Sequence, residues 1–283
     1  MRLIPDNINI KFTKYKKITL CISIIFIILS ISLIFFRGVN LGLDFTGGIL
    51  IEIRSKSISI PELNTELKRR NIVAEIVRSD KDLIIRFKDG KRIGEVKDLL
   101  EKKLDKSVVY RKIDYVGPQV SAKQIISGVF AMLFALVGMF FYIWFRFDWK
   151  FGFGGVLALI HDVILSIGFI SLTGIEFNIS SIAALLTIIG YSINDTMVIY
   201  DRIREYIKEG EVNSTIIDTS INSTLSRTIL TSCTTLLAAL PLILICKGIV
   251  RDFSLVIFFG ILVGTYSSIF ISSPILTYKK NDI

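Results

Sequence analysis

Six apolar blocks of about twenty residues constrain this chain more than any other feature, because a helix crossing a hydrocarbon core of ~30 Å needs ~20 mostly apolar residues. The blocks fall at 18–36, 123–145, 151–172, 179–200, 228–246 and 253–274. With 52% hydrophobic residues and a mean hydropathy of +0.61 over 283 residues, they exclude an ordinary soluble globular protein. The first block is longer than a signal-peptide core and ends in no small-residue cleavage pattern, so it reads as an uncleaved span. What remains between blocks supports one small aqueous domain.

Lysine and arginine number 34 against 25 Asp and Glu, a net charge of +9. In a chain of membrane spans this excess reads as topology and contact with anionic lipid rather than with nucleic acid. Placing the leader 1–17, with Lys11, Lys14, Lys16 and Lys17, in the cytoplasm puts Arg146, Lys150, Arg202, Arg204, Lys208, Arg227, Lys279 and Lys280 on that side too. The outward connection 173–178 has no basic residue, and only Lys247 and Arg251 oppose the assignment, with Asp252 as a partial offset. Both termini are therefore expected in the cytoplasm, with a cytoplasmic loop at 201–227, a cytoplasmic tail at 275–283 and one external segment at 37–122. Cys21, Cys233 and Cys246 lie within or at the end of apolar blocks, which implies no disulfide framework.

The external segment alternates short apolar runs with helical patterns: Ile49–Ile53, a helix over Ile60–Asn71, Ile72–Val77, Leu83–Phe87, a helix over Arg92–Leu104, and Val108–Tyr115. Pro61 in a first helical turn and a turn at Lys88–Gly90 mark boundaries. The order βαββαβ fits a ferredoxin-like sandwich. The expected fold class is thus an α-helical polytopic membrane protein of six transmembrane helices with one external α+β ferredoxin-like domain. That domain holds no His, no Cys and no glycine-rich phosphate loop, so it reads as a docking surface. No enzyme, cofactor or metal is expected.

Ionisable residues inside spans are costly and usually functional. His161 and Asp162 lie ~17 Å deep in the third span, and Asp195 lies ~9 Å inside the fourth, at ~1.5 Å per residue. Arg227 opens the fifth span, followed by Thr228, Thr231, Ser232, Thr234 and Thr235. Thr231 with Tyr191 and Asn194 forms a supporting polar face. Since the fourth and fifth spans run in opposite directions, Asp195 and Arg227 fall in the same cytoplasmic third and could meet directly or through water. A carboxylate that can be neutralised, beside a guanidinium that cannot, makes an ion-coupled switch. The competing readings are a fixed pair that sets helix register, a His161 that merely bonds Asp162 or a carbonyl, and a hydroxyl stripe that is packing glue. Gly260 and Gly264 form a small-xxx-small pair that needs only close packing.

Several strings then act together. Gly42-Leu43-Asp44-Phe45-Thr46-Gly47-Gly48 follows the first span, Val116-Gly117-Pro118 precedes the second, and Arg146-Phe147-Asp148-Trp149-Lys150 precedes the third. His161-Asp162-Val163, the stretch IGYSINDTMVIYDRIRE from Ile189 to Glu205, and Ser226-Arg227-Thr228 with Thr231-Ser232 complete the set. Across nearly the whole chain these resemble the SecF subunits of the SecD/SecF protein-export membrane complex, within the resistance-nodulation-division-like superfamily. SecD shares the first signature but typically carries a much larger external region. In the signature itself, Gly42, Gly47 and Gly48 permit positive φ and close backbone approach, while Asp44 can turn the chain and Phe45 completes the pattern, so it reads as a structural junction.

The resemblance implies a cell-membrane protein that works with SecD beside a SecYEG-type translocon and uses the proton-motive force to draw translocating polypeptide outward. It places the family's intramembrane acid on Asp195 and its arginine on Arg227, and it matches the third-span H-D string at His161 and Asp162. Two other functions compete: a small-molecule or lipid exporter half of the same superfamily, and a structural subunit that moves no ion.

Overall fold

A leader turn at Phe12–Tyr15 runs directly into α1, Lys16–Phe36. Then come a single helical turn α2 (Leu43–Thr46), β1 (Gly48–Arg54), α3 (Ile60–Arg69), β2 (Ala74–Ser79), β3 (Asp82–Phe87), α4 (Ile93–Asp98) and β4 (Val109–Val116). Five long helices follow: α5 (Pro118–Arg146), α6 (Trp149–Thr173), α7 (Ile179–Tyr206), α8 (Ser214–Ile245) and α9 (Ile249–Ser267). The computed structural model describes residues 9–55, 58–79, 82–87, 89, 92–104, 108–207 and 212–277. It divides into two compact units, one from the residues up to Asn40 and from Gly128 onward, the other from Leu41 to Ser127. Lys88 and Gly90 of the expected turn, and Lys208, Lys279 and Lys280, lie outside the described residues.

In the smaller unit, β1 pairs antiparallel with both β3 and β4, and β2 pairs with β3, giving the order β2-β3-β1-β4. This is the ferredoxin-like arrangement expected from the element order. Ile49, Ile51 and Ile53 of β1 point to one face by strand alternation and are buried with Leu83, Ile85 and Phe87 of β3 against Leu63 and Leu67 of α3 and Val96, Leu99 and Leu100. Ser59 caps α3 by accepting from the Glu62 N–H, with Pro61 in the first turn. The second helix runs on from α4 as a π turn over Leu99–Leu104.

In the larger unit, six helices are long and apolar enough to cross a membrane. Helices α6, α7 and α9 bury more than half of their spanning residues, whereas α1, α5 and α8 bury few and present Phe35, Phe134 and Leu244 outward. Apolar side chains exposed on that scale mark surface that lipid or a partner's helices cover, rather than water. Gly260 and Gly264 let α9 approach α7 closely: a methyl group on Gly260 would run into Ile188, and one on Gly264 would stand 3.0 Å from the Ser192 Cβ. Asp148 caps α6 by accepting from the Trp149 N–H, and Gly174 ends it at φ +72, where a side chain would be strained. Asn178 and Ser181 form a reciprocal capping box at the start of α7.

One feature differs from expectation, and the leader adds another on which the sequence set none. The stretch 201–227, read as a loop, is largely helical, because α7 continues to Tyr206 and α8 starts at Ser214 under an Asn213 cap. Ile217, Ile221 and Leu225 recur at helical spacing and are buried in the bundle, so packing carries a helix through residues too polar to register as a span. Arg227 consequently lies well inside α8 rather than at its start. The leader is anchored to α8. The Thr13 N–H and hydroxyl donate to the two carboxylate oxygens of Asp218 at 2.8 and 2.9 Å, while Ile10 and Asn222 exchange a reciprocal pair of hydrogen bonds. Phe12, 5% exposed, packs edge-on against Phe270.

Replacing Asp218 by Ala strands the buried Thr13 donors, which costs about 1–3 kcal/mol. A lower thermal midpoint of the detergent-purified chain and faster proteolysis ahead of Lys16 are expected; an unchanged midpoint and cleavage rate would show that the leader is not held by this contact.

Candidate functional site

Helix α7 carries polar groups on two sides, and each side meets a different carboxylate cluster. Toward α8 stands Asp195, 2% exposed. Its Oδ1 lies 3.5 Å from the Thr231 hydroxyl, at the outer limit of a hydrogen bond, and its Oδ2 is buried with no hydrogen-bond partner. Thr231 Oγ1 also lies 3.0 Å from the Arg227 carbonyl and 2.9 Å from the Thr228 carbonyl. A hydroxyl has one hydrogen, so Thr231 serves either its own helix or the carboxylate. Arg227 acts on Asp195 electrostatically, yet no direct ion pair joins them among the described residues. Close by, the buried Thr228 hydroxyl likewise has no partner.

Beside Asp195 lies a cavity of about 420 Å³ lined by Asn194, Arg227, Thr224, Arg146, Asp201 and Arg202 among others. Its rim is held by ion pairs, Arg146 to Asp201 at 2.8 Å and Arg202 to Glu205 at 2.6 Å, and Arg204 donates to the Arg146 carbonyl at 2.9 Å. The cavity thus brings charged and polar lining to Asn194, the neighbour in sequence of a buried carboxylate. Tyr191 joins the same side through its hydroxyl, which accepts from Thr235 at 3.3 Å. Asp195, Arg227, Thr231, Asn194 and Tyr191 are all gathered around this α7–α8 contact.

His161 and Asp162 are not in that group. Asp162 is fully buried in α6: its Oδ1 takes His161 Nδ1 at 2.9 Å, and its Oδ2 accepts from Ser192 of α7 and Ser267 of α9, each at 2.7 Å. His161 Nε2 is buried without a hydrogen-bond partner, and the imidazole lies near the Tyr266 ring, 6.2 Å between centroids. Among the described residues no cluster of His, Cys, Asp and Glu could hold a metal ion.

The glycine signature lies in the other unit. Gly47 and Gly48 adopt φ +65 and +116, as their lack of a side chain allows, and the buried Phe45 anchors the turn. Gly42 does not need positive φ, standing at −70; its carbonyl instead accepts the N–H groups of Phe45 and Thr46. Asp44 sits in the first turn of α2.

Sequence reasoning passed over Ser192, Thr196, Ser267 and Ser268. Ser192 and Thr196 are one helical turn apart on α7, and Ser267, Ser268, Ser272 and Ser273 recur near the end of the sixth span. That spacing was a signal, because four serines on one side of a spanning helix need partners.

Six candidate spans, a four-stranded sheet unit and buried carboxylates within the bundle define a polytopic membrane protein with ionisable groups among its helices. Two family descriptions match the chain: protein export membrane protein SecD/SecF, C-terminal, over residues 95–282, and the SecD/SecF GG motif over residues 32–57. The protein translocase subunit SecF of Rickettsia rickettsii is 48% identical over 99% of this chain and 95% of its own length, and that of Rickettsia bellii is 47% identical over 99% and 97%. The chain therefore belongs to the SecF protein translocase subunits of the SecD/SecF family, and membership implies association with SecD. The crystal structure of SecDF from Thermus thermophilus, a translocon-associated membrane protein, superposes with a TM-score of 0.87 at 35% identity. SecDF in its super-membrane-facing form gives 0.71 at 33%. The chain covers 39% of each of those longer chains.

If the cavity is wet, Asn194→Cys in a background without native cysteines reacts with a membrane-impermeant maleimide, whereas Ser192→Cys, at a position 1% exposed, stays protected. Equal labelling of both, or of neither, would contradict the arrangement.

Proposed function

We propose that this chain is the SecF half of a SecD–SecF pair that uses the proton-motive force to assist outward export of polypeptide beside a SecYEG-type translocon in the cell membrane. Both termini lie in the cytoplasm, the unit around β1–β4 lies outside, and lipid surrounds α1, α5 and α8. The carrying observation is a carboxylate with one buried oxygen unpartnered, set next to a cation-lined cavity. A register-fixing buried pair would have its oxygens and donors mutually satisfied, since an unpaired buried charge is expensive. Asp195 lacks that satisfaction.

The chemistry follows from donor supply. An ionised Asp195 draws the Thr231 hydrogen and the Arg227 guanidinium toward it. A proton arriving at the carboxylate removes that demand, so Thr231 returns its hydrogen to the helix carbonyls and Arg227 is freed into the cavity. Each exchange changes how α8 sits against α7. The positive-inside distribution of Arg146, Arg202 and Arg204 supports a cytoplasmic opening for the cavity.

Asp195→Asn should insert and co-purify with SecD like the wild type, yet export should no longer respond to the proton gradient. Gradient-dependent export at the wild-type level would overturn the coupling role and favour a subunit that only stabilises the complex.

A further inference from the structure

The bundle holds a second buried carboxylate whose surroundings are the opposite of those of Asp195. Both oxygens of Asp162 are engaged, with donors from three helices: His161 of α6, Ser192 of α7 and Ser267 of α9. Below it, Thr196 of α7 meets Ser268 at 3.0 Å, and Ser268 also reaches the Ser192 carbonyl at 3.2 Å. Here α9 passes into a π turn over Ser268–Ser272, which takes carbonyls out of the regular ladder. Hydroxyls bond the carbonyls around this turn: Ser268 donates to Gly264, whose carbonyl also takes the Ser268 N–H, Ser272 and Ser273 donate to Ser268, and Tyr200 of α7 to Ser272, at 2.8–3.1 Å.

These hydroxyls do not make a proton path. Between Asp162 and Tyr200 the links run through the backbone carbonyls of Gly264, Ser192 and Ser272, which accept hydrogen bonds but pass no proton onward. What they make is a clasp, tightened where Gly264 brings the α9 backbone against Ser192.

We infer that Asp162 is a positioning residue: it clasps α6, α7 and α9 into one rigid block that holds the α7 backbone beneath Asp195, and it does not itself exchange the coupling ion. The inference rests on the reading of Asp195 as the coupling acid. Coupling then moves α8 against a block that stays whole. His161 belongs to the clasp, since its Nδ1 is bonded to the carboxylate at 2.9 Å while its Nε2 is buried with no hydrogen-bond partner among the described residues.

Serine hydroxyls can accept as well as donate, so an amide at position 162 keeps most of the clasp without a charge. Asp162→Asn should retain gradient-dependent export within about twofold, whereas Asp162→Leu, of similar size with no polar group, should lose about tenfold or more, the scale on which stranded buried donors are felt. Asp195→Asn runs in the same assay; its silence would sink the coupling reading alone, while an Asp162→Asn as defective as Asp195→Asn would sink this one. Should Asp162→Leu fail to accumulate, a second measurement decides. In a chain without native cysteines, Thr196→Cys with Ser268→Cys is oxidised to a disulfide between α7 and α9. Unchanged export is expected; export that stops on oxidation and returns on reduction would show that the block must open.

Discussion

A charge in hydrocarbon must be compensated by something placed there beforehand, and the bundle is arranged around two different answers to that requirement. Asp162 is compensated completely, by three donors from three helices. Asp195 is compensated incompletely, by a long contact from Thr231, a weaker interaction with Ser232 and a guanidinium at a distance, with its Oδ2 left without a hydrogen-bond partner. Since Asp162 of α6 bonds Ser192 on one side of α7 and Asp195 projects from the side toward α8, α7 is gripped on its α9 side and left adjustable on its α8 side. That asymmetry is what a device needs if one element is to move while its neighbours stay in register.

Packing follows the same division. Small residues bring α9 onto α7, where Gly260 and Gly264 face Ile188 and Ser192. On the other side a cavity separates the ends of α5, α7 and α8, and its walls are charged and hydroxylated rather than interlocked. The leader contact between Thr13 and Asp218 ties α8 near its start, and beyond Arg227 the Ser232 hydroxyl meets that of Thr265 on α9 at 2.7 Å.

Much of this was legible in the sequence because the bilayer leaves few solutions. Block length gave the six spans, and alternation with turn signals gave the strand order that β1–β4 adopt. The opposite running of two spans was enough to bring Asp195 near Thr231 and Arg227. What escaped had long-range causes. Nothing near Thr13 announces a partner some two hundred positions away, and the polar start of α8 is helical only because Ile217, Ile221 and Leu225 find the bundle. Asp162 looked like a companion to Asp195, since depth alone places both inside the membrane. Only the positions of Ser192 and Ser267 separate a satisfied carboxylate from an unsatisfied one.

Coupling requires Asp195 to be the group that takes up and releases the proton. Infrared difference spectra of the purified SecD–SecF pair, titrated through the pH range in which export responds to the gradient, read carboxyl protonation directly. A carboxyl band that changes with pH in the wild type and in Asp162→Asn, and vanishes in Asp195→Asn, is the predicted result. A band that survives in Asp195→Asn and is lost in Asp162→Asn would contradict it.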